Sequence, residues 1–317
     1  MANKGFVDYD LDEGRVHVTP RLMQHILSSA GRIDYDVLQF NSDSPDGVNG
    51  TINLLNNDLA LKGVARIILS DSQDVKIFPA QQLVTVKKDR DFTFSGVIKA
   101  GKLTYFGKEY YFHYEPFTID LLNVDSVAFL ADSFKPDENG RRRLVHVKNV
   151  LENVTGSLEI DAPGNKSGLQ QKKYPAYPKF NSTKDSYVYY DRGTIQKGAY
   201  KRDQFYYKSD PFMIDSLDNF TNEGLHFDGT LMSGGIFQDI REPLGLQPDY
   251  ALGFVHATGQ GGLPLYGKRS TFNNTVTLDN KGLHGDGDLN YLTTTASSKN
   301  LVFTPDTTFG VVDTLVN

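Results

Sequence analysis

Four carboxylates stand in two matching phrases: Glu115 and Asp120 in YYFHYEPFTID (residues 110–120), Asp210 and Asp215 in FYYKSDPFMID (residues 205–215). Two acids flanking a bond are what hydrolysis of a glycoside needs, provided their carboxyls lie roughly 5–9.5 Å apart. The surrounding residues alternate as a β-strand does, and strand residues five apart point to opposite faces about 16 Å from each other. Neither phrase therefore holds a catalytic pair by itself. A pair across copies, Glu115 with Asp210, needs the copies on neighbouring strands about 4.8 Å apart, where like charges repel unless water or a cation intervenes. The expected role is architectural: Phe117, Ile119, Phe212 and Ile214 pack inward, Pro116 and Pro211 sit at strand starts or edges, and the acids face water.

The aromatic residues of the same phrases offer different chemistry. Tyr110, Phe112 and Tyr114 share one strand parity, while Tyr105 and Tyr111 share the other. Large apolar side chains on both parities imply a strand buried on both faces or one presenting a binding surface. Tyr110, Phe112, Tyr114, Tyr206 and Tyr207 are accordingly the candidate ligand-binding residues, for a glycan or a lipid.

Other constellations are weaker. DYDLDEG places Asp8, Asp10 and Asp12 at alternate positions, as a calcium loop does, but Gly14 falls one position late and Thr19 stands where a bidentate glutamate belongs. An ordinary hairpin turn is the expectation there, calcium the only cofactor with any support. GLPLYGKRS (residues 262–270) has phosphate-loop glycines and Lys268, but Arg269 replaces the magnesium-binding hydroxyl and a strand-like run follows where a helix should start. The seven histidines show no metal-binding spacing, and no serine sits in a nucleophile elbow.

Composition narrows the classes further. A formal charge of −6 with no extended basic run argues against nucleic acid as a partner, and GRRRL after ENG reads as a solvated strand start beyond an Asn-Gly turn. With no cysteine there is neither a disulfide framework nor a thiolate site. No stretch has the apolar length of a transmembrane helix or the layout of a signal peptide, and a strand-like run into the C-terminus reads as an internal piece of a longer chain.

The elements that must position these residues are almost all strands. One helix is expected over residues 20–30, with Thr19 as N-cap, Pro20 at the first helical position, Leu22, Met23, Ile26, Leu27 and Ala30 on one face, and Gly31 as the stop. That face should cover the end of a β core. Elsewhere the period is two, interrupted at short intervals by Asn, Asp and Gly. A second internal match joins TINLLNNDLALKGVARIIL from Thr51 to TVTLDNKGLHGDGDLNYL from Thr275 without a gap, with Thr51/Thr275, Leu54/Leu278, Asn56/Asn280, Leu59/Leu283 and Gly63/Gly287 identical. The expected fold is all-β: an elongated β-solenoid or wrapped β-sheet repeats with one short N-terminal helix, or alternatively two β-sandwich or jelly-roll domains. The division would place β-repeat regions at 1–161 and 187–317 around a polar loop or linker at 162–186, the alternative being one continuous domain with that stretch as a long surface loop.

The phrases LSDSQDVKIFP, DRDFTFSGVIKAGKL and IREPLGLQPDYALGF, together with the two internal matches, resemble segments of very large repeat proteins of Bacteroidota-type cell envelopes. The resemblance implies an extracytoplasmic location, periplasmic or at the cell surface, and a structural or binding role, with glycan, lipid or another envelope protein as partner. The resulting expectation is a non-enzymatic scaffold, adhesin or binding surface. The alternatives are a carbohydrate-active enzyme on a β-helix and a periplasmic lipid- or glycan-binding groove.

Overall fold

The computed structural model describes residues 5–32, 38–45, 47–166 and 171–317. Its elements, in chain order, begin with β1 (Val7–Asp10), β2 (Arg15–Val18), α1 (Pro20–Ser29), β3 (Gly50–Ile52), β4 (Leu59–Leu61), β5 (Ile67–Ser70), β6 (Val75–Val86), β7 (Phe92–Ala100), β8 (Leu103–His113) and β9 (Thr118–Asp132). They continue with β10 (Leu144–His146), β11 (Leu151–Glu159), β12 (Lys179–Ser182), β13 (Ser186–Tyr189), β14 (Phe205–Ser209), β15 (Met213–Ile214), β16 (His226–Phe227) and β17 (Gly229–Ser233). The last are β18 (Leu244–Leu246), β19 (Leu252–Ala257), β20 (Leu263–Leu265), β21 (Ser270–Asp279), β22 (Gly282–Tyr291), β23 (Thr294–Phe303), β24 (Thr308–Gly310) and β25 (Thr314–Val316).

Two large antiparallel sheets result. The first runs β17-β14-β13-β11-β9-β8-β7-β6-β4-β3, with β5, β10, β12 and β15 attached at its sides; the second runs β16-β18-β19-β21-β22-β23-β24, with β20 and β25 attached. The chain is all-β with one helix, as expected, and the sheets pack like the layers of a sandwich. None of the described pairings is the parallel coil-on-coil stacking of a solenoid. Residues 162–186 do not divide the first sheet, because β11 before them pairs with β13 after them, and β12 lies inside the stretch. Residues 167–170 of that stretch lie outside the described ones.

One buried core serves both sheets. Tyrosines from the first sheet and its following loop carry the junction. Tyr190 donates its hydroxyl to the Leu252 carbonyl (2.8 Å), Tyr200 to the Phe303 carbonyl (2.7 Å) and Tyr207 to the Phe227 carbonyl (2.9 Å). Each supplies a ring to the core and satisfies its own hydroxyl on a main-chain acceptor of the facing layer. Burial pushes their phenols up, that of Tyr200 to about 12.

A line of β-bulges crosses the first sheet. Register breaks between Pro79 and Val84 in β6, between Phe94 and Gly96 of β7 where Gly107–Tyr110 of β8 carry an extra residue, between Phe106 and Gly107 where β8 meets β9, and between Val154 and Gly156 where β11 meets β9. At these breaks Gln81, Gln82, Glu109 and Asn153 adopt left-handed backbone (φ 53°, 55°, 56° and 56°). Each extra residue bends its strand and reverses the direction of every side chain beyond it. Inward positions therefore switch from odd to even numbers within one strand: Val75 and Ile77 but Val84 in β6, Leu103 and Tyr105 but Tyr110 and Phe112 in β8.

The helix spans Pro20–Ser29, with Thr19 before it in extended conformation and Gly31 after it at φ +65°. Its apolar face does not cap the core as expected. None of its residues is buried, and Met23 and Ile26 are half exposed. The Asn139-Gly140 turn joins β9 to β10, leaving Arg141, Arg142 and Arg143 in solvent.

Candidate ligand-binding site

The bulge in β8 settles the aromatic pattern. Tyr105, Tyr110, Phe112 and Tyr114 all lie on the inner face and are buried, so the apparent two apolar faces are one face carrying an inserted residue. Phe112 stacks on Phe92 (ring centroids 4.5 Å apart) and meets Phe117 edge to face (5.9 Å). Tyr207 is likewise internal. Of the five aromatic residues singled out from the sequence, only Tyr206 faces outward, half-buried.

The two motif copies nonetheless build comparable outer surfaces. Aligned without a gap, Tyr111 corresponds to Tyr206, Phe112 to Tyr207 and His113 to Lys208. In each copy the middle residue is buried, and the tyrosine and the basic residue flanking it point outward. Strand parity within either copy carries that signal, and comparing the copies would have replaced Tyr110, Phe112 and Tyr114 by Tyr111.

The first surface is an open concavity of about 800 Å³ at the bend of the sheet, lined by Leu83, Glu109, Tyr111, His113, Asp120 and Leu122 among others. The Tyr111 and His113 rings lie 4.4 Å apart. His113 Nε2 is 2.8 Å from an Asp120 oxygen, its Nδ1 is 3.7 Å from Asp91, and the Tyr111 hydroxyl donates to Asp91 (3.2 Å). Burial, followed by the charge of Asp91, raises the Tyr111 phenol above its ordinary range. Of the two His113 ring nitrogens, Nε2 is within hydrogen-bond distance of Asp120 and Nδ1 lies beyond that distance from Asp91.

The second surface is a platform of three tyrosines, Tyr187 and Tyr189 on β13 and Tyr206 on β14. Their centroids are 6.1 Å (Tyr187–Tyr189), 5.8 Å (Tyr187–Tyr206) and 6.2 Å (Tyr189–Tyr206) apart. The Arg202 guanidinium lies 3.6 Å from the centre of the Tyr189 ring and is held by Asp191 (3.1 Å) and by Glu152. Burial opposes the Arg202 charge, but the hydrogen bonds it donates to those two carboxylates outweigh it and favour the charged form. Burial likewise raises the Tyr189 phenol, and Arg202 only partly reverses this. Lys208 pairs with Asp185 at 2.9 Å beside the platform. Tyr187, Tyr189 and Arg202 escaped the sequence reading, although YVYY alternates outward and inward tyrosines.

Cross-strand register extends the second surface across the sheet. Phe78, Val97, Phe106, Ser126, Glu152, Tyr187, Lys208 and Thr230 form a single row over β6, β7, β8, β9, β11, β13, β14 and β17. Such a row is rigid, because its spacing is set by main-chain hydrogen bonds rather than by loops.

The acids do not converge. Glu115 accepts from the Gln24 side-chain amide and Asp210 pairs with Arg241 at 2.6 Å. Three strands, β9, β11 and β13, separate β8 from β14 in the sheet, roughly 19 Å at ordinary strand spacing. At the N-terminal hairpin, Asp10 closes the β1–β2 turn by accepting from the Asp12 (2.9 Å) and Glu13 (3.0 Å) N–H groups, while Asp8 pairs across the hairpin with His17. Among the described residues no three acids or histidines gather as a metal-binding group, and no helix is long and apolar enough to cross a membrane. No family model, no characterised protein and no solved structure matches the chain.

Proposed function

We propose that the chain is a non-enzymatic β-structured segment of a larger envelope or surface protein, located outside the cytoplasm, whose first sheet is both scaffold and glycan-binding face. The observation that carries this reading is the platform of Tyr187, Tyr189 and Tyr206 with Arg202 clamped over it. Flat, half-exposed aromatic rings offer apolar area at low entropy cost to the C–H faces of sugar rings, and a fixed guanidinium with its carboxylates offers directional polar contacts to hydroxyls. The placement outside the cytoplasm rests on the resemblance of the sequence phrases to envelope repeat proteins. Scaffold and binding roles, rather than hydrolysis by the repeated acids, are favoured by the separation of Glu115 from Asp210.

Affinity electrophoresis through gels containing soluble bacterial and plant polysaccharides tests this. At least one glycan should retard the protein, and Tyr189→Ala or Tyr206→Ala should abolish the retardation while leaving the unfolding midpoint close to that of the parent. Retardation by none of the glycans, or equal retardation of the variants, would overturn the glycan reading.

A further inference from the structure

The hairpin β3–β4 and the hairpin β21–β22 carry the matching segments from Thr51 and Thr275, identical at five aligned positions, yet one lies at a sheet edge and the other inside a sheet. Their matched glycines meet the same constraint. A Cβ on Gly63 would stand 2.0 Å from the Asp43 carbonyl oxygen, and one on Gly287 would stand 1.9 Å from that of Asn273. The strands that follow agree as well. Ala60↔Thr85 and Leu61↔Val84, which join β4 to β6, have as counterparts His284↔Val302 and Gly285↔Leu301, which join β22 to β23. β6 then receives β7, and β23 receives β24, again antiparallel. The order β3-β4-β6-β7 thus recurs as β21-β22-β23-β24. The second hairpin has the tighter turn and its register slides by two residues, an even number that keeps inward positions inward.

The outer flank of the first strand differs. β21 is covered by β19, with Phe254 opposite Leu278 and His256 opposite Val276, and both Val276 and Leu278 are fully buried. Among the described residues β3 ends the strand order of its sheet, and the counterparts, Ile52 at the end of β3 and Leu54 in the turn that follows it, are 57% and 81% exposed. Apolar residues that are buried at one occurrence of a segment and bare at the other mark the place where the second occurrence lacks its neighbour.

We infer that the edge of β3, unpaired among the described residues, is a strand acceptor, and that its occupant is an antiparallel strand of the β19 type, Leu-Gly-Phe-Val-His-Ala, donated by another unit of the same kind. Units would then join through one continuing sheet, main-chain hydrogen bonds supplying affinity and Ile52 and Leu54 supplying selectivity. The inference rests on β-strand register and holds whether or not the outer face binds glycan.

A labelled peptide of residues 244–258, LGLQPDYALGFVHAT, titrated into the full chain and followed by anisotropy and hydrogen exchange, tests it. Binding is expected with new amide protection at residues 50–54. Replacing Ile52 and Leu54 together by lysine should weaken binding roughly tenfold or more, since each buried aliphatic side chain is worth at least that factor. Leu315→Lys on β25, an exposed residue elsewhere, should leave binding unchanged. Absence of binding, protection confined to residues 275–279, or self-association of the chain through β3 with no response to the peptide would each overturn the proposal.

Discussion

The two copies of the acidic motif share their local sequence and part ways in pairing. In the first, the chain turns back on itself: β8 runs into β9 as a hairpin with Phe112 opposite Ile119. In the second, β14 pairs with β13 and β17, and the residues after the turn, Met213 and Ile214, leave to pair with β12. Both routes end in one row, since Ile119, Leu158, Phe180 and Ile214 lie side by side across β9, β11, β12 and β15. The motif thus specifies a strand, a turn and an inward isoleucine, while the neighbours choose the partner. It also specifies an outward tyrosine beside an outward basic residue, and each copy uses these to furnish an outer surface.

The comparison is most sharply tested at its turn aromatics. Phe117 is fully buried, whereas Phe212 is half-buried against Phe180 (5.5 Å) and Phe227 (4.8 Å). Phe117→Ala is expected to cost about 3–5 kcal/mol in urea unfolding and Phe212→Ala about half of that. Equal losses would mean that the hairpin and the divergent copy carry the same burden in the core.

A smaller effect is expected at the middle position. Tyr207 donates toward two carbonyls, those of Phe227 and Glu242, both at 2.9 Å, so Tyr207→Phe should lower stability by about 1–2 kcal/mol. The reverse change in the first copy, Phe112→Tyr, would bury a hydroxyl among the rings of Phe92 and Phe117 and should also destabilise, by about 1–3 kcal/mol. A neutral Phe112→Tyr would show that the first copy has an acceptor within reach.

The same position separates the copies by pH. Burial raises the Tyr207 phenol well above its ordinary range, so the folded protein keeps that proton after the unfolded chain loses it near pH 10. The stability tied to this proton is fully present below pH 10 and falls as pH rises towards the folded-state value. Tyr207→Phe should make the alkaline decline of the urea midpoint shallower, while Phe112→Leu should shift the midpoint without changing that slope. An unchanged slope in Tyr207→Phe would remove the phenol from the account.

The acids should matter least. Glu115→Gln and Asp210→Asn are expected to change stability little, and their double variant to equal the sum within roughly 0.5 kcal/mol, because the residues have separate partners. A clear coupling energy between them would mean that the two copies meet.

Much of the local structure was legible in the residue order. Pro20 and Gly31 bracket the helix, Asn139-Gly140 turns β9 into β10, and a strand follows Lys268 where a phosphate site would need a helix. The candidate site was legible only in part. Tyr206 was recognised, but Tyr110, Phe112 and Tyr114 were placed on a surface, because strict alternation carried from Tyr105 to Tyr110 assumes a strand without insertions. Glu109 at φ 56° breaks that alternation, and a left-handed glutamate leaves no trace in a hydrophobic pattern.

By itself the sequence determined an all-β chain with one helix, the positions of its turns, and which segments resemble each other, since these depend on residues within a few positions of one another. Tertiary structure decided where the bulges fall, which strand each motif copy joins, and that Glu115 and Asp210 stay apart. Those outcomes follow from contacts between residues tens to hundreds of positions apart, whose cost is met only when the whole sheet forms. Val276 and Leu278 are buried where β19 flanks their hairpin, while Ile52 and Leu54 are exposed in the matching segment, where β3 ends the strand order among the described residues.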